Sequence, residues 1–185
     1  VKGKNCWIWD ANTGARYRLT LDNNHSFEYD FGPTESLLIV FDFAKGGEEF
    51  VPVRTFGVNM RRLSDRWNVE LMQSLTGESK TFFMSELKDL KEYPEFVNFT
   101  GTALYRKKIT VDNSKNLILN LGKVAGVSEL FVNGKPVGVK WFGRRIYDIS
   151  NFVSLGENDI EVRVVTIMGN YLKTLKDNEN VQHWV

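Results

Sequence analysis

The dipeptide Asn133-Gly134 constrains the fold of this chain more than any other feature of its sequence. It follows a run in which Leu130 and Val132 alternate with the polar residues Glu129 and Asn133, and it precedes a second β-rich run that starts at Lys135. A two-residue type I′ turn requires positive φ at both central positions, and Asn-Gly adopts that turn most readily. The sequence therefore predicts a β-hairpin here, with the apolar residues of the first run facing a core.

A second turn and a long strand follow in the same stretch. Gly156-Glu157-Asn158 has the composition of a turn, and residues 160–164 then alternate between apolar and polar side chains. Alternation of this kind is typical of a half-buried β-strand. Between the hairpin and this strand lies a segment, residues 141–147, that is rich in aromatic and arginine side chains. We predict that it forms a loop with a surface suited to a ligand.

The first sixty residues predict a small antiparallel sheet. Residues 17–21 and 27–31 alternate on either side of a polar turn and indicate a hairpin, and residues 37–43 are almost continuously apolar. Because a strand of that kind is usually buried on both faces, we expect it to be covered on both sides. Three or four strands are few for an independent unit. This segment is therefore predicted to complete an upstream sheet or to pack on the second domain.

The rest of the chain shows several more strands and almost no helix. Alternating runs occur at residues 67–71, 105–111 and 117–121. Ser85 is placed to cap one short helical turn, which Pro94 would end. Short strands with turns every ~8–12 residues predict an all-β fold, an antiparallel β-sandwich or jelly roll.

Composition excludes several classes of partner. The chain has 24 Lys and Arg residues against 23 Asp and Glu residues, a net charge of +1, so we predict no nucleic-acid partner and no anionic membrane surface. No apolar run approaches the ~20 residues that span a bilayer. Cys6 is the one cysteine, which excludes an internal disulfide and a cysteine-rich metal site.

Several stretches, taken in order, resemble the galactose-binding-like jelly-roll module of glycoside hydrolases. They are residues 99–105, 119–122 with 130–138, 141–149 and 156–158. Enzymes related to glycoside hydrolase family 2 and to family 106, the α-L-rhamnosidase-like group, are the most similar. The region from Trp9-Asp10 to Val40-Phe41 resembles, more weakly, the β-region that precedes this module in family 106-like enzymes.

The resemblance implies a β-sandwich segment at residues 1–60, the end of an upstream domain, and a galactose-binding-like jelly roll at residues 61–185. It also implies that the catalytic acid and base of the parent enzyme lie in a separate barrel domain upstream of Val1. The parent is then expected to be a bacterial periplasmic or secreted protein. One departure is the run Phe142-Gly143-Arg144-Arg145 after Trp141, where the family has one or two prolines. The loop is therefore expected to be more flexible and more basic than its family counterpart.

The candidate carbohydrate site is the loop that contains Trp141, Arg144, Arg145 and Tyr147. An indole face can stack on a sugar ring, and guanidinium and phenol groups can bond to hydroxyls or carboxylates. The alternative is that Trp141 closes the open end of the β-sandwich, with the arginines on the surface or at a contact between domains. Low exposure of Trp141 would favour that structural alternative.

Catalysis and metal binding have less support in the sequence. A glycosidase needs two facing carboxyls, one of them with a raised pKa, but the acidic residues fall in turns or at polar positions of strands, where side chains are usually exposed. We therefore assign no catalytic residue to this chain. A structural calcium ion, which galactose-binding-like folds often hold, would find oxygen ligands at Asp148, Glu157 and Asp159. No other cofactor is expected.

Three functions remain open from the sequence. The first is an accessory module that braces a glycoside hydrolase and helps to shape its carbohydrate site, with the catalytic domain and carbohydrate as partners. The second is an independent carbohydrate-binding module, and the third is a purely structural brace between domains. Trp141→Ala separates the last two, because it abolishes glycan affinity in one and lowers stability in the other.

Overall fold

The computed structural model describes residues 3–11, 13–52, 59–175 and 177–179. Internal contacts divide the chain into two compact units, Val1–Arg61 and Arg62–Val185. Neighbouring strands in all of the described sheets run antiparallel. The prediction of an all-β antiparallel fold is therefore confirmed.

The first unit contains a three-stranded sheet with the strand order β2-β1-β3. The strands are β1 (Asn5–Trp9), β2 (Arg16–Arg18) and β3 (Leu38–Asp42). Cys6 and Ile8 of β1 form a small core with Leu19. Burial raises the pKa of the Cys6 thiol, so this cysteine stays protonated and is a weak nucleophile.

Two predictions for this unit are wrong. Residues 27–31 form no strand, although they alternate; instead the rings of Tyr29 and Phe31 contact each other edge to face, with centroids 4.8 Å apart. Residues 37–43 do contain β3, but it is an edge strand, and Leu38 and Phe43 are 50% and 71% exposed. Alternation and apolarity describe a strand's own side chains, whereas burial depends on the neighbours that the fold supplies.

The second unit contains a six-stranded sheet and a two-stranded sheet. The large sheet has the order β5-β4-β6-β11-β8-β9, and the small sheet pairs β10 with β7. The strands are β4 (Trp67–Gln73), β5 (Ser79–Met84), β6 (Gly101–Val111), β7 (Ile118–Asn120), β8 (Val127–Val132), β9 (Lys135–Lys140), β10 (Ile146–Asp148) and β11 (Gly156–Val165).

Buried side chains from both sheets form one core in this unit. Val69, Leu130 and Ile160, from three strands of the large sheet, are at most 1% exposed. Leu119 and Tyr147 enter the same core from the small sheet. The core residues of the large sheet occupy alternate positions of their strands, which is why the period-two pattern of the sequence indicated these strands correctly.

The predicted hairpin is present between β8 and β9. These strands pair with Val132 opposite Lys135, and the turn residues Asn133 and Gly134 have φ of 51° and 74°. Both values lie in the left-handed region that a type I′ turn requires. The prediction from the Asn-Gly pair is therefore confirmed.

Asn133 also joins the hairpin to the start of β11. Its Nδ2 donates to Asn158 Oδ1 at 2.8 Å and to the Phe152 carbonyl oxygen at 3.0 Å. Asn158 Oδ1 accepts a second bond from the Ser154 N–H, and Asn158 Nδ2 donates to the carbonyl oxygens of Ser154 and Gly156. The buried Asn158 amide thus makes four hydrogen bonds, the full capacity of its side chain.

Helical structure in the described residues is limited to short turns. They are the helix α1 (Gly169–Leu172) and two 3-10 turns, Leu90–Glu92 and Lys173–Leu175. The helical turn predicted to start at Ser85 is wrong in position, because Asp89 is the N-cap and its carboxylate accepts from the Lys91 N–H. No helix in the described ranges is long and apolar enough to cross a membrane.

Tyr105, in β6, is expected to make the stability of this unit depend on pH. Burial, with a smaller effect of the Asp89 carboxylate, raises the pKa of its phenol to about 12, whereas an exposed tyrosine titrates near ~10. Stability is therefore complete below pH ~10 and falls as the pH rises towards 12, by roughly 1.4 kcal/mol per pH unit. Tyr105→Phe is expected to remove this loss, which denaturant unfolding at about pH 9 to 12 measures. A variant that keeps the wild-type slope would contradict the assignment.

Candidate functional site

Trp141 is the most exposed member of the predicted carbohydrate site. It follows β9 directly, and 63% of its surface is exposed. Its ring contacts the ring of Phe142 edge to face, with centroids 4.6 Å apart. At this exposure the indole is not a buried plug at the end of the sandwich.

Arg145 lies beneath the loop surface. It is buried, and its Nη1 donates to the Gly143 carbonyl oxygen at 2.8 Å while its Nη2 donates to the Gly126 carbonyl oxygen at 3.0 Å. Its Nε is also buried and has no hydrogen-bond partner. Arg145 therefore ties the loop to the segment before β8, and its guanidinium is not presented to a ligand.

Tyr147 is also an interior residue. Its ring belongs to the core, and its hydroxyl donates to the Ser128 carbonyl oxygen at 2.9 Å and lies 2.8 Å from Ser128 Oγ. Burial raises the pKa of this phenol. The four predicted site residues are therefore divided, with Trp141 exposed, Arg144 half-buried, and Arg145 and Tyr147 supporting the loop from inside.

An exposed apolar cluster beside Trp141 was not predicted from the sequence. It lies on the outer face of the large sheet, where Val127 pairs with Val165 and Val139 lies opposite Glu129. We call it the Trp141 patch; its exposed members are Val127, Val139 and Val165 on the strands, and Trp141 directly after β9. The signal was present in the sequence as apolar residues at the outward positions of β8 and β11. A patch of this kind is typical of a contact surface.

The middle of the same outer face has ion pairs. Arg106 of β6 donates to Glu70 at 2.9 Å and to Glu161 at 2.6 Å. The hydrogen bond from Arg106 lowers the pKa of Glu70, and the bonds to both carboxylates raise the pKa of Arg106. Glu70 is thus favoured as the ionised partner of an arginine, unlike the protonated general acid that glycoside hydrolysis requires.

The pKa values of two other described carboxyls are also lowered. Hydrogen bonds, chiefly from the Ser26 N–H to Asp22 and from the Thr20 hydroxyl to Glu49, lower the pKa of these two acids. A catalytic acid needs the opposite shift, since it must keep its proton near neutral pH. The described carboxyls with a shifted pKa thus form ion pairs or stabilise turns.

The three residues predicted to offer calcium ligands do not form a cluster. Glu157 Oε1 lies 2.6 Å from Lys108 Nζ, and Asp148 Oδ1 accepts from the Ser150 N–H at 2.9 Å. No group of three or more His, Cys, Asp or Glu side chains in the described ranges could hold a metal ion. Asp148, Glu157 and Asp159 therefore do not fit a structural calcium ion.

Comparison with known proteins gives one similar sequence. No family model matches the chain. A putative beta-glucuronidase from Formosa agariphila is 37% identical over 117 residues, which cover 60% of this chain and 10% of that protein. The chain thus spans about a tenth of the length of this curated relative.

Solved structures extend the likeness to nearly the whole chain. A rhamnosidase from Novosphingobium sp. PP1Y matches with a TM-score of 0.69 and 22% identity, over 97% of this chain and 18% of that one. A beta-D-glucuronidase from Dictyoglomus thermophilum matches with a TM-score of 0.44 and 26% identity, over 56% of this chain and 19% of that one. The rhamnosidase shares the fold, and the sequence relative is named for a related activity. This chain therefore carries a glycoside-hydrolase-like β-domain.

Proposed function

We propose that this chain is a non-catalytic β-sandwich part of a longer glycoside hydrolase and that the Trp141 patch packs against another domain of that enzyme. The observation that carries the proposal is the patch itself. Four apolar side chains exposed at one end of a sheet gain hydrophobic free energy, roughly 25 cal/mol for each Å² of apolar surface removed from water, when a partner covers them. The small share of each relative that the chain matches supports a longer parent.

A second part of the proposal concerns the family of glycoside hydrolases to which the longer protein belongs. We propose that residues 61–185 are a galactose-binding-like jelly roll preceded by a β-sandwich segment at residues 1–60, as in enzymes related to family 106 or family 2. The order of the sequence motifs supports this, as do the places that they occupy at β6, at the β8–β9 hairpin and at the start of β11. A carbohydrate substrate, a separate catalytic domain and a bacterial periplasmic or secreted location belong to the same proposal.

The interior positions of Arg145 and Tyr147 support a structural role for the loop. Arg145 bonds to the Gly126 carbonyl oxygen, and Tyr147 bonds to the Ser128 carbonyl oxygen. Both contacts fix the loop on β8 and on the residues just before it. A loop held in this way presents Trp141 in a defined position beside the valines of the patch.

A second candidate is an independent carbohydrate-binding module. The exposure of Trp141, with Arg144 three residues further along, favours it, because an accessible indole is a suitable platform for a sugar ring. Against it stand the apolar neighbours of Trp141, since a sugar needs hydrogen-bonding groups around its ring. The two candidates differ in what covers the Trp141 indole, which is another domain in the first and a sugar ring in the second.

An assay of the 185-residue chain on a panel of aryl glycosides tests the non-catalytic part. We expect no hydrolysis above the rate of the buffer. Turnover that a single Asp or Glu substitution abolishes would overturn this part of the proposal, because the catalytic acid or nucleophile would then lie in this chain.

Trp141→Ala tests the use of the patch. In the isolated chain it is expected to lower the free energy of unfolding by less than about 1 kcal/mol, because the indole is exposed. The matched control, Trp67→Ala, removes a buried indole and should cost about 3–5 kcal/mol. In the parent enzyme, Trp141→Ala should lower the melting temperature more than in the isolated chain. Glycan-array binding by the isolated chain that Trp141→Ala abolishes, with Tm unchanged, would instead establish the binding module.

A further inference from the structure

The turn of the β8–β9 hairpin is the only place in the chain where glycine directly follows asparagine, at Asn133-Gly134. In such a pair the main-chain nitrogen of the glycine can attack the side-chain carbonyl carbon of the asparagine, because glycine has no Cβ to hinder the approach. Both residues are exposed, so water and hydroxide reach the turn. A Cβ added at Gly134 would meet nothing within 4 Å, so no neighbouring residue covers the turn at that point.

The attack starts an internal deamidation, a reaction that makes asparagine one of the chemically labile residues of proteins. Base takes the proton of the Gly134 N–H, the nitrogen forms a bond to Asn133 Cγ, and the Cγ–Nδ2 bond breaks as ammonia leaves with a proton from water. Water then opens the succinimide ring. Cleavage at Cγ gives aspartate, and cleavage at the main-chain carbonyl carbon gives isoaspartate. The net reaction consumes water and releases ammonia, and it needs no cofactor.

The folded protein holds both polar atoms of the Asn133 side chain. Nδ2 donates to Asn158 Oδ1 at 2.8 Å and to the Phe152 carbonyl oxygen at 3.0 Å. Oδ1 accepts from the Asp159 N–H at 3.0 Å. These three hydrogen bonds fix the torsions of the side chain. Cγ is therefore held towards the start of β11 and away from the nitrogen of Gly134.

The main chain of Asn133 is fixed as well. Its N–H donates to the Asp159 carbonyl oxygen at 2.9 Å, and its φ is 51°. The pairing of Val132 with Lys135 closes the turn on both sides. To form the ring, the main chain and the side chain of Asn133 must rotate together, and this rotation breaks the contacts that the residue makes in the folded state.

Asn158 determines how firmly the Asn133 side chain is held. It is 1% exposed, and its Oδ1 accepts a second bond from the Ser154 N–H at 2.8 Å. Its Nδ2 donates to the carbonyl oxygens of Ser154 and Gly156. The acceptor of Asn133 Nδ2 therefore cannot turn away without leaving several buried polar groups unpaired. Removal of the Asn158 side chain would free the Asn133 amide to approach Gly134.

The products of the reaction do not fit the same contacts. An aspartate has no N–H on its side chain, so its carboxylate would face two acceptors, Asn158 Oδ1 and the Phe152 carbonyl oxygen. An isoaspartate would also add a carbon atom to the main chain of a two-residue turn, whose geometry sets the pairing of both strands. Either product therefore weakens the link between the hairpin and β11.

We propose that Asn133 is a spontaneous deamidation site, that the folded protein protects it through the Asn158 amide, and that deamidation breaks the link between the β8–β9 hairpin and β11. The reaction then requires local opening of the turn. When opening and closing are fast compared with the chemistry, the rate follows the fraction of molecules in which the turn is open. Because the product cannot restore the original contacts, each reaction is an irreversible loss of the native turn.

Incubation of the 185-residue chain at mildly alkaline pH, followed by digestion and peptide mass spectrometry, measures the rate of deamidation at Asn133. A synthetic peptide of residues 127–140 gives the rate of an open turn. We expect the folded chain to react at least about tenfold more slowly than the peptide. Equal rates in the chain and the peptide would overturn the proposal, because the fold would then give no protection.

Asn158→Ala tests the protecting contact. It should raise the rate at Asn133 about tenfold or more above that of the wild type. The matched control is Asn151→Ala, which removes an exposed amide from the same connection and should leave the rate unchanged. An unchanged rate in Asn158→Ala, or an equal rise in the control, would show that Asn158 does not protect the turn.

Urea below the unfolding midpoint tests the same step in the wild-type chain, without a variant that has to fold. The rate at Asn133 should rise with the urea concentration, because urea raises the fraction of open molecules. A rate that does not change with urea would mean that the reaction proceeds in the closed turn, and it would overturn the proposal.

Asn133→Asp tests the effect of the product. It should lower the melting temperature by about 4 °C or more, since a carboxylate replaces a donor that faces two acceptors. Asn151→Asp adds the same charge at an exposed position and is the control. Equal melting temperatures for the two variants would overturn the predicted loss of the link. Neither the aryl glycoside assay nor the Trp141→Ala comparison depends on these results.

Discussion

Gly101→Ala is expected to destabilise the Arg62–Val185 unit by about 3–5 kcal/mol. Gly101 begins β6, has a φ of 157° and pairs with Gln73 of β4. A Cβ at this position would lie 2.0 Å from the Met72 carbonyl oxygen and 3.1 Å from the Ser74 nitrogen. Both atoms belong to the backbone, so no side-chain rotation relieves the clash and β4 must move away from β6. Denaturant unfolding measures the loss.

Gly138→Ala is the matched control for this prediction. Gly138 lies in β9 of the same sheet, and a Cβ added there would meet nothing within 4 Å. Its substitution should change the free energy of unfolding by no more than about 0.5 kcal/mol. If the two variants prove equally stable, the close approach of β4 and β6 at Gly101 is not what requires a glycine.

Gly101 also shows what the sequence could and could not predict about the fold. The run Thr100-Gly101-Thr102-Ala103 is visible as the entry to a strand, and that strand is β6. The reason for the glycine is the Met72 carbonyl oxygen, which comes from a strand about thirty residues earlier. Local patterns indicate where strands begin, whereas the close contacts between strands depend on which strands become neighbours.

The first unit shows the corresponding limit for burial. Residues 27–31 alternate more strictly than residues 129–132 do, yet only the second run becomes part of a strand in a sheet. Alternation is a property of one segment, and strand formation needs a partner with free backbone groups. The same reasoning applies to β3, whose apolar side chains remain exposed at the sheet edge.

The candidate loop was located correctly at residues 141–145, between β9 and β10, whereas Ile146 and Tyr147, predicted as part of it, lie in β10. The orientation of the side chains was not predictable. Arg145 and Tyr147 are polar-tipped residues that the sequence suggested as ligand contacts, and both have buried polar groups bonded to main-chain oxygens. Arg145 lies in an irregular segment, which has no fixed side-chain period from which to read an inward or outward direction. Tyr147 lies in a strand of only three residues, too short to show a period. The carbohydrate-binding prediction for Trp141 and Arg144 remains a proposal that the binding experiments test.

The hairpin and a turn at Gly156-Glu157-Asn158 were predicted as separate features. The second prediction is wrong, because these residues begin β11, and the structure joins them to the hairpin through one buried amide. Asn133 and Asn158 are 25 positions apart, and no local rule connects them. Their contact places the end of β8 against the start of β11, which are neighbours in the large sheet. The motif Asn-Gly followed by Gly-x-Asn thus has a single physical reason, a shared hydrogen-bond network.

Asn158→Ala is expected to lower the free energy of unfolding by about 3–4 kcal/mol. The substitution removes four hydrogen bonds and leaves the Ser154 N–H and the Asn133 amide without their buried acceptor. Asn151→Ala, an exposed position in the same connection, is the control and should cost no more than about 0.5 kcal/mol. Amide hydrogen exchange should show faster exchange at Ser154 and Asp159 in Asn158→Ala, because the Asp159 N–H donates to Asn133 Oδ1. A stability loss close to that of the control would mean that the hairpin and the start of β11 hold together without the shared amide.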